Sequence, residues 1–69
     1  MTQYGNGAKV GNITVFSKKG AVKAYKIFCE LFNRDHTMEA SAVLSNASLD
    51  MFTLGFTPDE VEAIEISTL

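Results

Sequence analysis

The apolar residues between Ser17 and Phe32 constrain this chain more than any other feature in it. Ala21, Ala24, Tyr25, Phe28, Leu31 and Phe32 recur at three- and four-residue spacing, while Lys19, Lys23, Lys26 and Glu30 recur on another face. That pattern predicts an amphipathic helix over about 18–32, with Ser17 placed to cap its first turn and Gly20 weakening it slightly. Ile27 and Cys29 widen the apolar arc. A helix with so many large apolar groups needs contact on more than one side, and the remaining residues have to supply it.

Three further segments read as its partners. Gly11-Asn12 separates Lys9-Val10 from the β-branched and aromatic run Ile13-Thr14-Val15-Phe16, and a glycine first in a two-residue loop suits a type II′ hairpin turn. Thr37, with Glu39 in the following turn, starts a second helix in which Met38, Ala42, Val43 and Leu44 face inward before Ser45-Asn46 breaks or bends it. Ser48 is placed to cap again, Leu49, Met51, Phe52 and Leu54 continue the apolar pattern, and Gly55 closes it; one kinked helix and two short ones both fit. Thr57-Pro58-Asp59-Glu60 is a capping box with proline at the first helical position, and Phe56 and Val61 form the matching hydrophobic staple, so a last helix starts at Pro58. Its end is open, because Ala63-Ile64-Glu65-Ile66-Ser67 also alternates as a strand does. Asn33-Arg34-Asp35-His36 reads as a connection.

The expected fold class is therefore mainly α (α+β): a compact bundle of three or four short helices with a small N-terminal β-hairpin, one domain over 1–69 whose glycine-rich start at 1–8 is flexible. The expected core is Tyr25, Phe28, Leu31, Phe32, Val43, Leu44, Phe52, Leu54, Phe56, Val61 and Ile64. At 69 residues the chain is too short for two ordinary domains, and a fold of this size buries only about 60% of the surface its unfolded chain exposes. Small folds of this kind lean on disulfides, metals or partner chains. Cys29 is the one cysteine and His36 the one histidine, which rules out an internal disulfide and a thiolate-imidazole zinc cluster and leaves association open. Apolar residues make up 46% and charged residues 20% of the chain, a folding composition rather than a disordered one. No apolar run approaches the roughly 20 residues of a membrane helix, and the start lacks the order of a signal peptide, so a cytoplasmic location without membrane partners is expected.

The net charge of −2 hides an asymmetry. Residues 1–34 hold all six bases and one acid, a net of +5, whereas residues 35–69 hold seven acids and no Lys or Arg, a net of −7. Neutralisation between the halves within the fold is the plainer reading; separate basic and acidic faces are the alternative.

Few residues point to chemistry. The glycines at 5, 7 and 11 have no strand before them and no Gly-Lys-Ser or Gly-Lys-Thr after them, so they fit a hairpin and a loose terminus rather than a phosphate loop. Cys29 lies among Phe28, Leu31 and Phe32, where burial raises a thiol's pKa, and reads as a core thiol rather than a nucleophile served by His36 and Asp35. The carboxylates lack EF-hand spacing. Neither a catalytic group, a cofactor motif nor a metal site is expected. Ala47 to Ile66 resembles a helix-turn-helix, with Gly55 at the turn, and Leu54-Gly55-Phe56 loosely resembles the loop of ubiquitin-associated domains. The would-be recognition helix carries Asp59, Glu60, Glu62 and Glu65 without Lys or Arg, which DNA phosphates would repel.

The functional expectation is a non-enzymatic protein-binding regulator or inhibitor of a larger macromolecule, as small accessory and phage-encoded proteins often are. Its candidate contact residues are Asp59, Glu62 and Glu65 on the acidic half and Lys19, Lys23 and Lys26 on the basic half. A protein partner is expected, with self-association into a homo-oligomer open. Nucleic acid held by the Lys19, Lys23 and Lys26 face is the alternative, and only Tyr25 interleaves with those lysines.

Overall fold

The structure, a computed structural model, describes Tyr4 and residues 7–69. The expected loose start falls partly on residues 1–3 and 5–6, which lie outside the described residues, while Ala8 already opens a strand. Five elements follow one another: β1 (Ala8–Val10), β2 (Ile13–Val15), α1 (Lys18–Asp35), α2 (Met38–Thr53) and α3 (Pro58–Ser67). The strands pair antiparallel with Val10 opposite Ile13, Lys9 opposite Thr14 and Ala8 opposite Val15. Gly11 takes φ 63°, as the first central position of a II′ turn requires. Its amide donates to Asp50 Oδ2 at 2.8 Å, which pins the hairpin tip to α2.

Each helix begins where its cap residue predicts. The side chains of Ser17, Thr37 and Thr57 accept from the amides of Gly20, Ala40 and Glu60 at 3.1, 3.0 and 3.2 Å. Glu60 completes the capping box by accepting from the Thr57 amide at 2.9 Å, with Pro58 in the first turn. The outcome differs from expectation at the end of α1 and in the middle of α2, and it decides the open end of α3. Helix α1 does not stop at Phe32 but takes in Asn33, Arg34 and Asp35, so the connection shrinks to His36 and Thr37. His36 closes it in the left-handed region at φ 49°, its amide donating to Phe32 O. Helix α2 runs unbroken through Ser45, Asn46 and Ser48, whose polar side chains are accommodated on its surface and flank rather than breaking it. It ends in a Schellman arrangement, with Gly55 at φ 97°, the Gly55 amide on Phe52 O and the Phe56 amide on Met51 O. The strand alternative for 63–67 is overturned, since α3 is helical through Ser67.

The core joins all five elements around Val10, Val15, Ala21, Ala24, Tyr25, Phe28, Cys29, Ala47, Met51, Leu54, Phe56, Val61 and Ile64. Tyr25 and Met51 are fully buried and fill its centre. Of the expected core residues, Val43 and Leu44 pack partly buried against it, and Leu31 and Phe32 are half-buried. Phe52 is a correction, being 41% exposed, and so are Met38, Ala42 and Leu49. The cause is helical phase. In one continuous helix α2 turns Ala40, Val43, Leu44, Ala47 and Met51 inward, with Leu54 at its C-cap, and positions 38, 42, 49 and 52 fall on its other faces.

Helix α1 is tied to α3 at three points. Lys18 Nζ pairs with Glu60 Oε2 at 3.4 Å, the Tyr25 hydroxyl donates to Glu65, and Asn33 Nδ2 donates to Thr68 Oγ1 at 3.1 Å. The partners ascend together along both helices, so α1 and α3 run in the same sense with the reversed α2 connecting them. The radius of gyration is 11.3 Å, against about 11 Å for a packed chain of this length.

Candidate binding surface

The outer face of α1 carries the lysines that the sequence singles out. Lys19, Lys23 and Lys26, with Ser17, Gly20 and Val22, line a surface hollow of about 430 Å³. Their spacing of four and three residues stacks them on one side of the helix. Among the described residues none of the three forms an ion pair; the two that exist are Lys18 with Glu60 and Arg34 with Asp35 at 3.7 Å. Helix geometry therefore gathers three ammonium groups at one place, and among the described residues no carboxylate lies within ion-pair distance of them.

An apolar groove adjoins this hollow. It holds about 330 Å³ between β2 and α1, and is lined by Ile13, Thr14, Val15, Phe16, Ser17, Gly20, Lys23, Ala24 and Ile27. Phe16 is 67% and Ile27 54% exposed, both large side chains left facing water. Ile27 was expected to widen the buried arc of α1; it lies instead four residues beyond Lys23, inside the polar stripe. Burial follows Ala21, Ala24, Tyr25, Phe28 and Cys29, which leaves position 27 on the outside of the helix. Sequence reading placed Phe16 in a strand and Ile27 toward the core, and so missed both as surface groups. The detectable signal was the four-residue step from Lys23 to Ile27, which puts them on one face.

The acidic candidates divide. Asp59 and Glu62 are exposed on α3, whereas Glu65 is half-buried and accepts the Tyr25 hydroxyl. Burial first, and then the Glu65 carboxylate, hold the Tyr25 phenol far above its usual pKa and keep it a donor. Glu65 therefore serves the interior, and charge reversal there would remove the acceptor of a fully buried hydroxyl as well as alter the surface. Glu60, in the capping box, is held below the ordinary carboxylate range by the Thr57 amide and by Lys18. Lys18 also lies over the Phe56 ring, 5.5 Å from its centroid.

Cys29, Asp35 and His36 lie in different environments. Cys29 is buried, and desolvation, followed by the negative charge of Glu65, pushes its thiol up to about 11. His36 is exposed in the connection after α1, its ring 5.0 Å from that of Phe32, and Asp35 pairs with Arg34. Among the described residues no group of three or more His, Cys, Asp or Glu side chains is placed to hold a metal ion, and no helix is long and apolar enough to cross a membrane.

No protein-family model matches the chain, and neither a curated protein nor a solved structure matches it.

Proposed function

We propose that this chain is a protein-binding module, a regulator or inhibitor that acts by occupying a surface of a larger partner. One observation carries the reading: Phe16 and Ile27 stand exposed beside a groove that runs into the unpaired Lys19, Lys23 and Lys26. Contiguous apolar side chains rimmed by charge are what a folded chain keeps when another protein covers them. The apolar groups supply affinity on burial, and the lysines set orientation and association rate. Such a module works in the cytoplasm, where its unpaired Cys29 stays reduced.

The test is capture from lysate of the native cell on immobilised chain, comparing wild type with the Phe16→Ser/Ile27→Ser variant. Both positions are exposed, so circular dichroism should show an unchanged fold. Proteins retained by wild type and lost from the variant support the reading. Equal retention by both removes this face from it.

The hollow itself favours a second reading. Three unpaired ammonium groups on one helix face also suit phosphates, so nucleic acid is the competing ligand. Affinity for a DNA or RNA oligonucleotide would then fall linearly in a logarithmic plot against salt, with a slope of about −0.7 to −0.9 for each phosphate neutralised. A flat salt response would count against it.

A further inference from the structure

The wall of the apolar groove is a strand edge. In a two-residue hairpin the closing pair, Val10 and Ile13, exchanges hydrogen bonds, so the next pair, Lys9 and Thr14, does not. The Thr14 amide and carbonyl therefore point away from β1. The strand ends at Val15 and the chain bends at Phe16 and Ser17, so Thr14 is the residue of β2 whose backbone pair faces outward. Among the described residues no backbone hydrogen bond outside the ladder reaches Thr14 or Phe16. The floor is α1, where Gly20 packs beside Val15 and Ser17 and the small Ala24 lies buried beneath the groove.

Resting on the protein-binding reading above, the geometry points to the outer edge of β2 as the docking site of an extended, acidic segment of a partner protein. That segment adds as a third strand over Ala24 and Ile27, with its carboxylates reaching Lys19, Lys23 and Lys26. An extended occupant is preferred to a helix because a helix has no free backbone groups along its length. Covering the edge with one would dehydrate the Thr14 amide and carbonyl without pairing them. A partner is preferred to a second copy because pairing β2 with β2 about a two-fold axis would set two copies of the same lysine cluster against each other. Of the two acids on α1, Asp35 pairs with Arg34 at the far end and Glu30 is exposed about a turn beyond Lys26 and Ile27, while Lys9 adds a further positive group on the exposed side of β1. The field along the groove is therefore positive.

The probe is a short capped peptide alternating Val and Glu, added to the intact chain and followed by amide hydrogen exchange and NMR titration. Exchange at Thr14 should slow by at least about tenfold on binding. The effect should vanish when the peptide is N-methylated at alternate residues, and affinity should drop about tenfold in Lys23→Glu. Lys23 and Ile27 are exposed, so Lys23→Glu and Ile27→Asp leave the fold intact for comparison. Four results would overturn the site: no binding at millimolar peptide; binding that leaves Thr14 unprotected; equal binding of a peptide alternating Val and Lys; or protection that grows with protein concentration alone, which assigns the edge to a second copy. The broader reading fails separately. If lysate proteins are retained equally by wild type, Lys23→Glu and Ile27→Asp, this edge is wrong while protein binding stands; if neither wild type nor either variant retains a protein, protein binding itself fails.

Discussion

Gly11 meets two requirements at once. Its φ of 63° is a conformation that side chains adopt at a cost of about 1–2 kcal/mol, and a Cβ there would lie 2.7 Å from Cζ of the buried Phe28 ring. Gly11→Ala should therefore lower stability in urea unfolding by about 2–4 kcal/mol, strain and overpacking together, while Asn12→Ala on the exposed side of the same turn stays within about 0.5 kcal/mol. Cys29 offers a second check at this scale. With its thiol raised to about 11 and its surface almost wholly covered, a thiol reagent at pH 8 should label it only after unfolding in denaturant. Labelling of the native chain at the unfolded rate would show that the core around Tyr25 opens freely.

Among the elements, local signals decided most of the outcome. Each cap spans three residues, so Ser17, Thr37 and the Thr57-Pro58-Asp59-Glu60 box could be read without knowing the rest of the fold, and the start of each helix follows from them. Thr57→Ala should cost about 1 kcal/mol in thermal or urea unfolding, as loss of a cap does. The same box sets an acid dependence. Glu60 titrates in the folded chain below its ordinary 4.5, so its ionised form stabilises the fold fully above that pH and the contribution is lost as pH falls through the lowered value. Stability of Glu60→Gln measured across that acid window should depend less on pH than wild type. Helix ends were less legible because they depend on packing. Asn33 stays helical while its amide group reaches Thr68, and Ser45-Asn46 stay helical because Val43, Leu44, Ala47 and Met51 hold α2 against the core on either side of them. In both places tertiary contact overrides the local preference of the residue.

For the molecule as a whole, the contacts that join distant parts left no trace in the sequence. Gly11 to Asp50 and Tyr25 to Glu65 are separated by 39 and 40 residues, and no local pattern marks either pair. The lysine stripe was legible from its spacing. The groove beside it was not, because Phe16 reads as an ordinary strand residue until its side chain is seen to lie outside the core. The opposed charges of the two halves meet in few direct pairs. Lys18 with Glu60 is the bridge between α1 and α3, and two other acids act instead as acceptors for the neutral donors of Gly11 and Tyr25.

The connection at His36 and Thr37 makes this arrangement testable in pieces. Residues 1–36 contain six bases and two acids, whereas residues 37–69 contain six acids and no Lys or Arg. Nearly every tie described above crosses that boundary. A chain severed there should yield two peptides that are disordered apart and recover helical circular dichroism on mixing, each serving as template for the other. Added salt should weaken their reunion far more than it weakens the uncut protein, because only the separated pieces must first find one another by long-range attraction.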